Sequence, residues 1–273
     1  MATLPVEDGR SIYYEHRPGA SLTVVLSHGW GMGGRVWDGT VATLRDAGYG
    51  TLAIDHRACG GSDKDFADVS IEALGRDVLT ICEALAIDRA VLNGWSLGGA
   101  VMVEAAGRLG LRLRGLVLTA AASPRFTRAN DFPFGGTAAD VAGTVAALRN
   151  DRVNVLHGLY HQGVFAVDVG APVKDWCWRL ALDASPCADA SLAALATLDQ
   201  RRALANIAAP ALVIVGGRDG VVEPGIGRAA ANLLPNATLI EMSACGHAPF
   251  LEDRTAYHRA LLDWLGALPA RRS

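Results

Sequence analysis

The 273-residue chain is poor in cysteine, and the cysteines that it has follow no recognisable pattern. They are five in number, scattered, and contain no C-x-x-C pair. This distribution speaks against a disulfide framework and gives no support to a zinc site. The first residues, MATLPVEDGRS, also lack the basic and apolar regions of a signal peptide. We therefore expect a cytoplasmic protein with reduced thiols.

Excess positive charge and long apolar runs are absent as well. Lys and Arg number 25 against 28 Asp and Glu, which gives a formal net charge of −3. Because nucleic-acid-binding surfaces are basic, we expect no nucleic-acid partner. Apolar runs such as TVVLS and ALVIVGG are much too short to span a bilayer, so we expect no membrane partner. The sequence leaves the oligomeric state open.

Short apolar runs, most of them rich in β-branched residues, recur along the chain. They do not alternate with polar residues, which is typical of strands buried on both faces of a parallel sheet. Helical patterns separate them, and the clearest follows Ser70, a predicted N-cap, with Ile71, Leu74 and Val78 at helical spacing. This order predicts an α/β protein with a mostly parallel, doubly wound sheet. The predicted strands are Thr23–Ser27, Thr51–Ile54, Ala90–Asn93, Gly115–Thr119, Ala211–Gly216 and Thr238–Met242.

Two segments depart from this alternation. LPVEDGRSIYYEH, near the start, is typical of a β-hairpin with Asp8-Gly9 as its turn. Residues 124–200 are rich in aromatic side chains and helical patterns, which predicts a helical lid inserted between two strands. Because ligands of such sheets bind at the carboxyl ends of the strands, a lid at that edge would cover the site. Residues 1–123 and 201–273 are then expected to form the core domain.

The stretch VLNGWSLGGAV places a single hydroxyl, that of Ser96, between Gly94 and Gly98. Glycines of this kind occur in ordinary turns between strand and helix. They are also required at a nucleophile elbow, where a serine sits on a strained turn above the sheet and its neighbours must be almost free of side chains. The motif G-x-S-x-G is only moderately specific, so its partners elsewhere in the chain decide between the two interpretations.

Two further polar residues each follow a predicted strand: Asp219 in VIVGGRDG and His247 in SACGHAPF. A serine hydroxyl is a weak nucleophile and needs an imidazole to take its proton, and the imidazole needs a carboxylate to fix its tautomer. The chain order Ser, Asp, His is that of hydrolases with a nucleophile elbow. We therefore predict a triad of Ser96, His247 and Asp219. Carboxylates that compete with Asp219 are Asp55, which we expect to shape its own loop, Asp63 and Asp199.

An oxyanion formed on an attacked carbonyl also requires N–H donors. The backbone N–H of Leu97, directly after the elbow, is the first candidate. The second is the N–H of Trp30, in the glycine-rich turn SHGWGMGG at Ser27–Gly34. In the same turn His28 is expected to be structural rather than a base.

Aromatic side chains are predicted to line the substrate pocket. Trp30 and Trp95 flank the triad in sequence, and the lid supplies Phe126, Tyr160, Phe165 and Trp176. His157 and His161 are spaced as a pair of metal ligands on one helical face. Because no third ligand is evident, we favour lid packing for this pair and expect neither a metal nor a cofactor.

The motifs HGWG at His28, GWSLGG around Ser96 and GHAPF around His247, together with Asp219, resemble the α/β-hydrolase family. Within it they are most similar to the esterases that cleave the methyl ester of pimeloyl-acyl carrier protein. IDHRACGGSDK resembles the family's D-x-R-G-x-G-x-S loop, with Ala58 where glycine is usual. The lid is more similar to the cofactor-free haloperoxidase and arylesterase branch. The resemblance implies the α/β-hydrolase fold and a serine esterase activity without a cofactor.

The predicted activity is hydrolysis of carboxylic esters with small to medium acyl groups through an acyl-enzyme, and the partner is a small-molecule ester. An acyl carrier protein is a possible partner that we do not favour. Lactonases, perhydrolases and C–C bond hydrolases use the same triad and remain open as alternatives, whereas a non-enzymatic binding module would be expected to lack a triad member. Dehalogenases and epoxide hydrolases need a carboxylate nucleophile, so Ser96 excludes them.

Overall fold

The computed structural model describes residues 2–7 and 9–269. In this part of the chain eight strands form one sheet in the order β1-β2-β4-β3-β5-β6-β7-β8. The pairs β1/β2 and β2/β4 are antiparallel, and the remaining pairs are parallel. The strands are β1 Ala2–Pro5, β2 Ser11–Arg17, β3 Thr23–Ser27, β4 Gly50–Ile54, β5 Ala90–Trp95, β6 Leu113–Thr119, β7 Ala211–Gly216 and β8 Ala237–Met242.

Ten α-helices accompany the sheet in the described residues. They are α1 Asp38–Asp46, α2 Ile71–Ala84, α3 Leu97–Leu109, α4 Ala138–Gly158, α5 Ala171–Leu182, α6 Asp189–Ala194, α7 Arg201–Ala205, α8 Pro224–Leu233, α9 Pro249–Glu252 and α10 Arg254–Gly266. Three 3₁₀ turns lie at Gly34–Trp37, Gly110–Arg112 and Pro186–Ala188, and a π-helical turn at Leu159–Gly163. None of the described helices combines the length and the apolar character needed to cross a membrane.

The predicted α/β class and mostly parallel sheet are confirmed. Each predicted strand is present, and four of them extend beyond their apolar runs, as β5 does to Trp95. The hairpin is confirmed by the antiparallel pairing of β1 with β2, with Pro5 opposite Ser11. Of its predicted turn, Asp8 lies outside the described residues. Ser70 is the N-cap of α2, because its Oγ accepts a hydrogen bond from the N–H of Ala73 at 3.2 Å.

The sheet separates two apolar cores, since successive side chains of a strand point to opposite faces. On β3, Val25 belongs to the core beneath α2, α3 and α8, whereas Val24 and Leu26 belong to the core shared by α1 and α10. Apolar residues therefore occupy both faces of the central strands, which explains why the strand sequences show no alternation.

Residues 124–200, here called the helical segment, connect β6 to β7 and contain α4, the π-helical turn, α5 and α6. Helix α4 begins with a capping box between Thr137 and Asp140 and bends at Asp151, whose φ and ψ are −150° and 72°. Buried side chains of the segment, such as Leu148 and Leu156, join the second core. The helical segment therefore shares an apolar core with the rest of the chain.

Candidate active site

Ser96 lies on the sharp turn between β5 and α3, with φ 56° and ψ −125°. Positive φ is rare for a residue with a side chain and costs free energy unless the surroundings fix it. Here the N–H of Ser96 donates to the carbonyl of Thr119 at 3.1 Å, and its own carbonyl accepts from the N–H groups of Gly99 and Ala122, each at 2.9 Å. The neighbouring strand and loop thus hold the strained serine in place.

The glycines around Ser96 allow strand and helix to approach each other. A Cβ at Gly94 would lie 2.2 Å from the carbonyl oxygen of Gly98. A Cβ at Gly98 would lie 2.4 Å from the carbonyl oxygen of His28, on the turn after β3. Both distances are far inside van der Waals contact, and the atoms met are backbone atoms. The elbow therefore requires glycine at these positions, as its motif predicts.

Gly98→Ala is expected to lower the free energy of unfolding by about 1–3 kcal/mol, because the new methyl group overlaps fixed backbone atoms. Gly107→Ala, on the same helix, is the matched control: apart from its chain neighbours and the adjacent turns of its own helix, no described atom lies within 4 Å of a Cβ there. Removing a helical glycine in open space stabilises by up to about 1 kcal/mol. Urea unfolding of both variants should shift in opposite directions, and equal shifts would contradict the steric explanation.

Asp219 and His247, which follow β7 and β8, are in direct contact. Nδ1 of His247 donates to Oδ2 of Asp219 at 2.8 Å, and the two side chains are 4% and 1% exposed. The other carboxylate oxygen, Oδ1, accepts the N–H groups of Val221 at 2.8 Å and Val222 at 2.9 Å. A carboxylate can only accept, so Nδ1 carries the proton and Nε2 is left as the basic nitrogen.

Two backbone contacts fix the loop of His247. The indole N–H of Trp95, next to Ser96, donates to the carbonyl of His247 at 2.7 Å, and the two rings are 5.4 Å apart. The N–H of His247 donates to the carbonyl of Val164 in the helical segment at 2.8 Å. The elbow and the helical segment therefore both position this histidine.

The turn after β3 brings Trp30 to the elbow. Nδ1 of His28 donates to the carbonyl of Gly29 at 2.7 Å, and Nε2 of His28 accepts the N–H of His56 at 3.0 Å. Because a trans peptide points its C=O and N–H in opposite directions, fixing the Gly29 carbonyl directs the Trp30 N–H away from His28. A Cβ at Gly29 would lie 3.2 Å from Cβ of Ser96, so this turn passes close to the serine. Burial lowers the pKa of His28, which favours a neutral, structural ring.

Ser96 and His247 line a cavity of about 470 Å³. The loops after β3, β5, β7 and β8 form one side of it, and the helical segment forms the other. A larger surface groove of about 730 Å³ lies between β2, β4 and α1, but its lining includes none of the predicted triad. The smaller cavity is lined by Gly29, Trp30, Trp95, Ser96, Phe126, Gly136, Thr137, Asp140, Val141, Thr144, Leu159, Tyr160, Gly163, Val164, Leu192, Leu195, Gly220, Val221 and His247.

The family model described as alpha/beta hydrolase fold matches residues 23–254, which spans the sheet from β3 onward and all of these loops. The chain belongs to the alpha/beta hydrolase fold family. Pimeloyl-[acyl-carrier protein] methyl ester esterase from Neisseria meningitidis serogroup C is 32% identical to it over 252 residues, which covers 91% of this chain and 95% of that protein.

Solved structures of hydrolases are similar over almost the whole chain. An esterase from Exiguobacterium antarcticum superposes with a TM-score of 0.93 at 25% identity and covers 97% of this chain and 99% of its own. A bromoperoxidase from Bacillus anthracis gives a TM-score of 0.91 at 26% identity with the same coverage. The predicted resemblance to the α/β-hydrolase family, on both its esterase and its haloperoxidase side, is confirmed.

Four of the predicted pocket residues line the cavity of this protein: Trp30, Trp95, Phe126 and Tyr160. Phe165 and Trp176 do not occur among the described lining residues, and a contact of either with substrate stays a prediction. Each is partly buried against the second core. Helical spacing identified apolar side chains in the segment without showing which neighbour they face.

The competing carboxylates have other partners in the structure. Asp55 shapes its loop, because its carboxylate accepts the N–H groups of Gly34 at 2.5 Å and Gly61 at 2.6 Å. Asp63 accepts the N–H of Ser11 at 2.7 Å, and Asp199 pairs with arginines at the edge of the helical segment. Of the four candidates, the structure therefore places Asp219 in contact with His247.

His157 and His161 stack on each other with ring centroids 3.8 Å apart, and Nε2 of His161 is 3.0 Å from a carboxylate oxygen of Asp175. Within residues 2–7 and 9–269, no group of three or more His, Cys, Asp or Glu side chains is placed to hold a metal ion. Cys245, two residues before His247, is buried, and burial raises its pKa to about 11, which keeps the thiol protonated.

Sequence reasoning did not identify Glu252, at the end of α9, as part of the site. Its carboxylate accepts the N–H groups on either side of His247, from Gly246 at 2.8 Å and Ala248 at 3.1 Å. The same carboxylate accepts the N–H groups of Ala166 at 2.8 Å and Val167 at 3.1 Å in the helical segment. Glu252 thus ties the histidine loop to the helical segment. In the sequence, the feature that could have pointed to Glu252 is its position five residues after His247.

Proposed function

We propose that this protein is a serine hydrolase of carboxylic esters, with Ser96 as nucleophile, His247 as general base and Asp219 as the acid that orients His247. The observation that carries the proposal is the buried His247–Asp219 hydrogen bond beside a cavity that Ser96 also lines. Esterases among the relatives and structural neighbours support the same reaction class. We also propose residues 124–200 as the lid over a core of residues 1–123 and 201–273.

The reaction follows from the roles of these atoms. Nε2 of His247 takes the proton of the Ser96 hydroxyl as Oγ attacks the ester carbonyl, and the N–H groups of Trp30 and Leu97 stabilise the resulting oxyanion. When the tetrahedral intermediate collapses, His247 returns the proton to the departing alcohol and an acyl-serine remains. Water, deprotonated by the same histidine, then attacks the acyl-serine and releases the acid.

The substrate that we propose is a free ester rather than one bound to an acidic carrier protein. Docking of such a carrier would need unpaired cations beside the cavity. Arg125 pairs with Asp199 at 2.8 Å, and Arg152 pairs with Asp189 at 2.7 Å, with side chains 14% and 16% exposed. These two arginines of the helical segment are therefore already paired with carboxylates of the same segment, and a carrier would have to use the exposed Arg128, Arg149 or Arg179.

A series of p-nitrophenyl esters of increasing acyl length tests the proposed activity. Because apolar residues such as Leu159, Leu192 and Leu195 line the cavity, kcat/KM should rise with each added methylene until the space is filled. Burial of one methylene contributes about 0.8 kcal/mol, or up to about fourfold in kcat/KM. Equal rates for acetate and hexanoate esters would contradict an apolar acyl site, and hydrolysis of a γ-lactone alone would point to a lactonase.

A further inference from the structure

One wall of the cavity carries a negative charge, that of the solvent-exposed Asp140, and no Lys or Arg lies among the described lining residues. Of the described lining residues, Asp140 is the one with a carboxylate, and none is Lys or Arg. Most of the remaining lining is apolar. Resting on the ester hydrolase proposed above, we propose that the site selects esters that bear a protonated amine and discriminates against esters that bear a carboxylate.

Asp140 lies on the first turn of α4, on one face with Thr137 and Thr144, which also line the cavity. Oδ2 of Asp140 accepts the N–H of Thr137 at 2.7 Å and its hydroxyl at 2.8 Å. Oδ1 makes no hydrogen bond to any described residue, so it is available to accept N–H groups of a ligand. The hydrogen bonds from Thr137 lower the pKa of Asp140, which keeps it ionised at neutral pH.

Charged groups around the cavity modify this selectivity without reversing it. Arg128 lies near enough to act on Asp140, and both residues are exposed, but of the two only Asp140 lines the cavity. The guanidinium of Arg152 lies 5.7 Å from the ring centroid of Trp30, is not among the described lining residues, and pairs with Asp189 at 2.7 Å. An ammonium group inside the cavity therefore meets Asp140 directly, while a carboxylate there meets the same charge with no pairing cation in the walls.

The test compares three methyl esters of similar length: methyl ω-aminohexanoate, methyl heptanoate and monomethyl adipate. We expect wild-type kcat/KM for the amino ester to exceed that for the carboxylate ester by roughly tenfold, as expected for one partly screened charge within several ångströms. The ratio should fall as ionic strength rises, because the interaction is exposed to solvent. A second pair of substrates, an aminoethyl ester and a carboxymethyl ester, carries the charge on the alcohol part. Comparison of the two pairs shows whether the acyl part or the alcohol part of the ester reaches Asp140.

Asp140→Gln and Asp140→Glu form a matched pair. Both side chains can complete the capping box with Thr137, so the start of α4 is retained in each. In Asp140→Gln the ratio of kcat/KM for the amino ester to that for the carboxylate ester should fall to within about threefold of unity. In Asp140→Glu the ratio should stay as in the wild type. Arg128→Gln should raise the ratio, because it removes a positive charge near Asp140. Melting temperatures of all variants verify that they are folded.

Binding of hexylammonium, hexanol and hexanoate can be measured by calorimetry without any turnover. This measurement therefore tests the inferred charge preference independently of the proposed esterase activity. Tighter binding of hexylammonium that is lost in Asp140→Gln supports the inference even if no ester is cleaved. An unchanged preference in Asp140→Gln, or a wild-type preference for hexanoate, overturns it. If the charge preference is overturned but methyl heptanoate is still cleaved rapidly, the proposed ester hydrolase activity stands.

Discussion

Replacement of Ser96 by alanine is expected to lower kcat for a p-nitrophenyl ester by roughly 10⁴- to 10⁶-fold, by analogy with serine proteases. The strained turn that holds Ser96 is fixed by backbone hydrogen bonds to Thr119, Gly99 and Ala122, none of which involves the hydroxyl. The variant should therefore fold normally and lose only its nucleophile. Stopped-flow and steady-state rates measure the loss of kcat. Mass spectrometry of the wild type labelled with a fluorophosphonate identifies the residue that acts as nucleophile.

Ser123→Ala is the matched control. The hydroxyl of Ser123 is buried and has no hydrogen-bond partner among the described residues, so its removal leaves no group unpaired. Activity within about twofold of wild type is expected, with stability unchanged or slightly raised. If Ser96→Ala retains comparable activity, or if the label maps to another residue, the nucleophile has been assigned to the wrong side chain.

The parts of the fold that could be predicted are those fixed by local sequence chemistry. The apolar run at Thr23–Ser27 coincides with β3, because a strand buried on both faces has no polar side to interrupt it. The elbow was recognisable because the backbone approaches so closely at Gly94 and Gly98 that no side chain fits there. Since loops that follow parallel strands meet at one edge of the sheet, chain order alone suggested that Asp219 and His247 would be neighbours.

The parts that could not be predicted depend on contacts between distant segments. Phe165 and Trp176 would be apolar beside a core or beside a cavity, so their sequence alone does not show that both pack against the second core. Glu252 is an ordinary helix-end glutamate in the sequence. Its role arises because Ala166 and Gly246, which are 80 positions apart, each present an N–H to it.

Ala58 shows how a departure from the family pattern is accommodated. Where the resemblance predicts glycine, Ala58 adopts φ 66°, the left-handed region that glycine favours. Its side chain is fully buried with Cys59, Ala184 and Ala188, so the methyl group gains contacts with the helical segment. The carbonyl of Ala58 also accepts the N–H of Ser185 at 2.8 Å. These contacts offset the backbone strain and join the loop to the segment over the cavity.

Replacement of Asp219 by asparagine is expected to lower kcat by about 10⁴-fold with little loss of stability, as the corresponding change does in serine proteases. The structure gives the reason. The N–H groups of Val221 and Val222 both donate to Oδ1, so the amide oxygen of asparagine must occupy that position. Its NH₂ group is then directed at Nδ1 of His247, which has to accept.

That hydrogen bond places the ring proton on Nε2, the nitrogen that must take the proton of Ser96, and the base is blocked although every heavy atom stays in place. Asp199→Asn is the control, since Asp199 pairs with Arg201 at the surface and should leave kcat within about twofold of wild type. Equal melting temperatures for Asp219→Asn and wild type, measured with the kinetics, show that the loss is chemical. A decrease of less than tenfold would mean that His247 takes its orientation from Trp95, Val164 and Glu252 alone, and that another group stabilises its positive charge.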